Sequence, residues 1–275
     1  MRFAICNELF EGWEFERVCR YVKSVGYDGL EVAPFTLAPR ITDVSTADRA
    51  RLRGAAAAAG VDIIGLHWLL AKTDGFYLTS PDRSVRARTS AYLVALAEAC
   101  RDLGGELMVF GSPKQRSLLP GISREAALDL AAETFQPVLS TLAGAGVTLC
   151  LEPLSPAETD FLNTCDQALE LVRRLNHPNV VLHLDVKAMA SEPTPVTELI
   201  RRHAGGAGHF HANDPNLRGP GFGDTDFVPI FKALDAAGYD KWVSVEVFDF
   251  SPDPETVARQ SVEYMERCRL KELSA

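Results

Sequence analysis

The chain has 275 residues, 47% of them hydrophobic and 24% charged, with a formal net charge of -9. That balance suits a soluble globular protein, and the acidic sign disfavours a phosphate-backbone partner such as nucleic acid. No apolar run approaches the roughly 18 residues of a membrane span. The start, MRFAICNELFEGWEFER, lacks the basic and long apolar regions of a secretion signal, so a cytoplasmic location is expected.

Short apolar runs alternate with longer amphipathic ones. In chain order the predicted pairs of strand and helix are 3–6 and 14–25, 29–33 and 46–59, 61–67 and 83–103, and 106–111 and 123–145. They continue with 147–153 and 164–176, 180–185 and 195–203, 208–212 and 227–237, and 242–247 and 254–268. The helix over 83–103 carries one apolar stripe, Val85, Tyr92, Leu93, Leu96, Cys100 and Leu103, and stops at Gly104-Gly105. Ser45 and Asp48 form a capping box at the start of 46–59, and Ser123 with Ala126 is a poorer version.

Repeated βα units imply a parallel sheet. Eight of them at this length predict one closed (β/α)8 TIM barrel, a single α/β domain over residues 1–275. An open doubly wound sheet would want a glycine-rich turn after its first strand, and Cys6 is followed by Asn-Glu-Leu-Phe-Glu-Gly. The six cysteines, Cys6, Cys19, Cys100, Cys150, Cys165 and Cys268, are scattered without a CxxC pair and read as buried reduced thiols.

Barrels of this kind place their chemistry at the C-terminal strand ends. Strand five ends in LEP with Glu152, strand six in HLD with Asp185, strand seven reads HFHAND with His211, and strand eight carries Glu246 in VSVEVF. One carboxylate at a strand end is commonly a cap or a surface ion pair. Four ionisable groups converging on one rim would repel and resist burial unless a cation sat among them. Three carboxylates and one imidazole suit Mn²⁺ or Mg²⁺, and tolerate Co²⁺. Such an ion, chelating a ketose carbonyl and its neighbouring hydroxyl, would acidify the C–H between them. Two carboxylates on opposite faces would then epimerise that carbon; one base working on a single face would interconvert aldose and ketose. Glu152 and Glu246 fit the two-base roles.

Further rim residues read as pocket lining: His67 beside Trp68, Glu31, Asn7, and the aromatics Phe248 and Phe222. In GSPKQR, after strand four, Lys114 and Arg116 could hold a carboxylate or phosphate, or form a solvated loop.

The set Glu152, Asp185, His211 and Glu246, within LEP, HLD, HFHAND and SVEV, resembles the xylose isomerase-like barrel superfamily of sugar isomerases and epimerases. It is most similar in pattern to the ketose 3-epimerases. The resemblance implies one divalent metal on these four residues, with the two glutamates as the acid/base pair, a small sugar substrate, and a homodimer or homotetramer. It also implies substrate contacts from Glu158 in ETDFLNT and from Arg218 in PNLRGPGFGDTDF. Two family positions differ, a histidine replaced by Ala188 and an arginine by Ser155, and Lys187 stands close enough to supply one missing contact.

Three rival readings follow. An endonuclease IV-type repair enzyme would need further histidines for three zinc ions, whereas this chain has Ala188, FGS after strand four, and Asp224 and Asp226 in GDTDF. An isomerase of hydroxypyruvate or a sugar phosphate, or an enediolate-type lyase or dehydratase, would share the same chemistry. A barrel that has lost catalysis would be a binding module.

Overall fold

The structure, a computed structural model, describes residues 1–273. Its eight strands are β1 (Arg2–Cys6), β2 (Gly29–Val32), β3 (Asp62–Leu66), β4 (Leu107–Phe110), β5 (Thr148–Leu151), β6 (Val180–Asp185), β7 (Ala207–Ala212) and β8 (Trp242–Val245). Each pairs in parallel with the next, and β1 pairs with β8, so the sheet closes. The helices are α1 (Phe15–Val25), α2 (Thr46–Ala59), α3 (Arg83–Leu103), α4 (Arg124–Phe135), α5 (Leu139–Ala145), α6 (Cys165–Leu175), α7 (Val186–Met189), α8 (Val196–His203), α9 (Phe227–Ala236) and α10 (Pro254–Leu273).

Local chemistry sets the helix ends. Ser45 Oγ accepts from the Asp48 amide at 3.1 Å and donates to the Asp48 carboxylate at 2.6 Å, a reciprocal cap on α2. Gly104 takes φ 92° after α3, a left-handed turn that a side chain would strain. The helix expected over 123–145 is two helices, α4 and α5. Pro137 lies in the 3-10 turn between them, where it lacks an amide donor and crowds the preceding turn. The short α7 was not expected; Asp185 Oδ1 caps it by accepting from the Ala188 amide at 2.7 Å.

Period-two alternation sorts the strands into two faces. Phe3, Ile5, Leu30, Val32, Met108, Phe110, Leu149, Leu151, Leu182, Leu184, Phe210, Val243 and Val245 join the large apolar core shared with the helices. Each fully buried side chain of this kind contributes about 1.5–3 kcal/mol. The opposite parity faces the barrel interior. There Leu107, Val109 and Cys150 make a small separate apolar cluster. Glu31, His183, His209, His211 and Ser244 are fully buried on the same parity, an unusually polar filling. All six cysteines are buried, as expected. Among the described residues no helix is long and apolar enough to cross a membrane.

Candidate metal and sugar site

The four residues singled out at the strand ends do converge. Asp185 and His211 lie within β6 and β7, register partners across the ladder. Glu152 and Glu246 follow the last residues of β5 and β8. His211 Nδ1 stands 3.1 Å from Glu246 Oε2 and 4.0 Å from Asp185 Oδ2. Glu152, Asp185 and His211, with His183, offer ligand atoms that all lie within 4.8 Å of one another and could hold a metal ion.

Each member is held by its neighbours. Asp185 Oδ2 accepts from Asn213 Nδ2 at 2.5 Å. The indole N–H of Trp68 donates to Glu246 Oε1 at 2.8 Å, from a backbone at φ 52°. The Glu152 carbonyl accepts from Arg116 Nη1 at 2.7 Å. On its far side, His211 Nε2 faces both Glu31 oxygens at 3.1 and 3.2 Å, and His209 Nε2 faces Glu31 Oε2 at 2.8 Å. A carboxylate behind a ligating imidazole fixes its tautomer and ring plane, here with Nδ1 left for the site.

Charge follows geometry. Burial, reinforced by repulsion from Glu246 and Asp185, holds the Glu152 carboxyl well above the usual carboxylate range. Burial raises Asp185 as well. For Glu246 burial acts upward, but His211 outweighs it and the carboxyl is lowered. Burial acts against charge on His211, yet Glu31 and Glu246 hold the imidazole well above its ordinary value. Glu31, also opposed by burial, is held well below its ordinary value by His209 and His211. A metal-free cluster of this kind shares protons among groups that a cation would otherwise neutralise.

Comparisons with known proteins identify the family. The family model for the xylose isomerase-like TIM barrel matches residues 19–268. This chain belongs to that family. An L-ribulose 3-epimerase from Mesorhizobium japonicum is 30% identical over 90% of this chain and 80% of its own length. A 3-dehydro-D-guloside 4-epimerase from Escherichia coli is 24% identical over 98% of this chain and 100% of its own. A solved L-ribulose 3-epimerase structure superposes with a TM-score of 0.85 at 26% identity, covering 100% of this chain and 98% of its own.

In this xylose isomerase-like barrel a cavity of about 360 Å³ opens over Glu152 and Glu246. Trp68, Phe248, Leu154 and Pro113 wall it, with Lys72, Lys114 and Glu158 among its polar lining. Lys114, Glu158 and Phe248, expected near a substrate, are among the residues that line this cavity. Glu158 has both oxygens engaged, one by the Lys187 ammonium at 2.7 Å and the second by Ser155 Oγ at 2.7 Å. Lys187 also lies 4.4 Å over the Phe248 ring.

Three expected contacts lie elsewhere. Arg116 is fully buried, bonded to the carbonyls of Glu152 and Leu162, and outside the cavity lining; burial pulls its pKa down to about 10. The sequence could not show that its guanidinium turns inward to satisfy main-chain acceptors. His67 is fully buried, paired with Glu8 at 2.7 Å, and outside the cavity lining. Arg218 donates to the Ser251 carbonyl at 2.7 Å and lies over Phe222, so neither residue lines the cavity. Glu31, expected as pocket lining, is instead the support behind His211. His183 and Glu8 were not among the expected site residues, although VVLHLD shows His183 two residues before Asp185 and hence on the same face.

Two predictions arise from these supports. Glu31→Gln should weaken metal binding about 10- to 100-fold by chelator competition, because it removes the negative charge and one of the two oxygens that orient His211. Gly111→Ala would place a Cβ 1.5 Å from Glu152 Oε2. The carboxylate end can swing away, so thermal stability should change little while turnover falls about 100-fold through misplacement.

Proposed function

We propose that this barrel is a ketose 3-epimerase dependent on one divalent metal ion, Mn²⁺ in the first instance. It is an isomerase-class enzyme, and its named relatives are sugar epimerases. The observation that carries the finer reading is the pair of buried glutamates, Glu152 and Glu246, lining one sugar-sized cavity beside a metal-binding cluster.

The donor set fits the ion. Carboxylates and an imidazole backed by Glu31 are available, and the buried His183 nitrogens have no hydrogen-bond partner among the described residues. Glu152, Asp185 and His211 would hold the ion, with Glu246 at its edge beside His211. When bound, it supplies Lewis acidity to the carbonyl and hydroxyl oxygens of the ketose.

The chain's own residues do the rest. Glu246 is kept as a carboxylate by the Trp68 N–H and His211, and takes the proton from the carbon next to the carbonyl. Glu152 returns a proton to the opposite face, and the roles exchange in the reverse direction. Trp68 and Phe248 offer apolar surfaces to the sugar's C–H face and exclude water. Glu158 and Lys187, locked together, set polar contacts at one side of the cavity.

The test is solvent-deuterium wash-in with Mn²⁺ and a panel of ketoses, free and phosphorylated. Deuterium at C3 with the C3 epimer, both lost on chelation, is the expected result. Label at C1 with an aldose product would make the enzyme an isomerase. The full-length match to a 4-epimerase of a keto-glycoside favours one second reading, epimerisation next to a ring ketone. Label at C4 of a 3-keto-glycoside, and none in free ketoses, would establish it. A homodimer or homotetramer completes the reading, on the strength of the family resemblance; sedimentation velocity tests the assembly.

A further inference from the structure

The loop after β3 holds two residues with side chains in the left-handed backbone region, Trp68 at φ 52° and Lys72 at φ 57°. That conformation is uncommon for residues other than glycine, and where it persists it gathers at functional sites. Both residues line the cavity over Glu152 and Glu246. Trp68 uses its place to reach Glu246; Lys72 has no such partner in the chemistry. Its ammonium lies 2.7 Å from Glu11 and 4.1 Å over the Phe35 ring. Both members of that ion pair are more than half exposed, so the pair itself contributes little. The loop after β4 brings a second ammonium, Lys114, to the same lining. Lys114 sits in the 3-10 turn Pro113–Gln115, which is pinned on both sides. Before it, Ser112 Oγ accepts from the Leu70 amide at 3.1 Å; within it, the Gln115 carbonyl accepts from the Leu78 amide at 2.7 Å. The buried Arg116 then ties the loop to the Glu152 and Leu162 carbonyls. Lys114 itself pairs with no carboxylate among the described residues.

We propose that Lys72 and Lys114 form an anion subsite, and that the substrate is a ketose carrying a phosphate or carboxylate away from its reacting carbon. This rests on the epimerase reading and names the substrate class within it. The cavity's own carboxylates do not take up these two charges. Glu152 and Glu246 serve the reaction, and Glu158 is already paired with Lys187 at 2.7 Å. In a chain of net charge -9, two ammonium groups lining one cavity select for a negative partner from solvent. Exposed lysines leave such an anion partly hydrated, which spares it the desolvation that a buried charge incurs. Ammonium groups on flexible stems meet a phosphate or a carboxylate alike. Gln115, half-buried in the same lining, adds an amide donor. The cation pair differs from the one expected in GSPKQR: Arg116 is committed to main-chain carbonyls, and Lys72 from the neighbouring loop takes its place.

The experiment compares the Mn²⁺-loaded parent with Lys72→Met/Lys114→Met on D-fructose, D-fructose 6-phosphate and D-fructuronate. Deuterium exchange at the secondary carbon beside the carbonyl gives kcat/KM for each. In the parent an anionic ketose should exceed D-fructose by about tenfold or more, a preference that shrinks as salt rises. The double variant should lose that preference, chiefly through a higher KM. The better of the two anions tells phosphate from carboxylate. D-Fructose handled as well as both anions by the parent would overturn the inference and leave the epimerase reading standing. So would a double variant that loses all three substrates alike, the mark of a structural role. Calorimetry with D-glucitol 6-phosphate, which has no carbonyl to react, reads the subsite without turnover. Its affinity should fall about tenfold in the double variant; equal affinity in parent and variant would overturn the subsite. Lysine-dependent binding with no exchange in any ketose would sink the epimerase reading and keep the subsite.

Discussion

Glu152→Gln and Glu246→Gln will each lower turnover by about three orders of magnitude, within the range that positioned acid–base groups supply. Glutamine keeps the shape and one carbonyl oxygen, so Trp68 retains an acceptor at position 246 and the Arg116 bond to the main chain at 152 is untouched. What disappears is the capacity to carry a proton. Both side chains are 5% exposed or less, so water cannot readily take over their role. Folding should persist, as read by circular dichroism and thermal unfolding, and KM should move far less than kcat. Exchange at the reacting carbon separates the two roles. A variant that still exchanges the proton without producing epimer has lost only the returning acid. Turnover within about tenfold of the parent in either variant would remove that glutamate from the chemistry.

Removing the metal will abolish turnover, and adding back Mn²⁺ will restore it. The pH dependence of that restoration follows from the metal-free site. Burial and mutual repulsion raise Glu152, burial raises Asp185, and the surrounding carboxylates raise His211 against the effect of burial. Groups with raised values keep their protons to higher pH, and an entering cation must displace them. Apparent affinity should therefore climb with pH, from the ordinary carboxylate range to beyond the ordinary imidazole value of about 6.5. Calorimetry in buffers of different ionisation enthalpy should show net proton release on binding. Affinity flat across that range would mean the donors are already deprotonated in the empty site.

Much of this is legible in the residues. Eight apolar runs alternating with amphipathic segments suffice for the barrel, because parallel strands buried on both faces leave a short, strongly apolar signature. LEP, HLD, HFHAND and SVEV disclose the convergent rim. One ionisable group after an apolar run can be a cap or an ion pair, but four consecutive strands ending this way bring their charges to one place. The support behind the rim is harder to read. Glu31 sits in GLEVA, where period two says only that it faces away from Leu30 and Val32. That it faces His211 and His209 depends on barrel closure, a contact across 178 or more residues of sequence. Arg116 is misplaced by sequence for the opposite reason. A basic residue in a polar loop suggests solvent, and only the folded chain shows two carbonyls waiting for it. Pro137 is plain in the sequence, yet the apolar periodicity running through it suggests one helix where the chain makes two.

The polar interior of the barrel has a consequence for how this scaffold can change. Cohesion resides in the outer annulus, where Phe3, Ile5, Phe110, Leu149 and Phe210 meet the helices, while the lumen holds Glu31, His183, His209 and His211. Binding fitness and folding fitness are thus carried by alternate residues of the same strands. A lineage can exchange luminal side chains one at a time, testing new donors and new reactions, without eroding the shell that keeps the tube closed. The two-residue period of a β-strand becomes, in this molecule, a partition between what architecture must keep and what is free to explore chemistry.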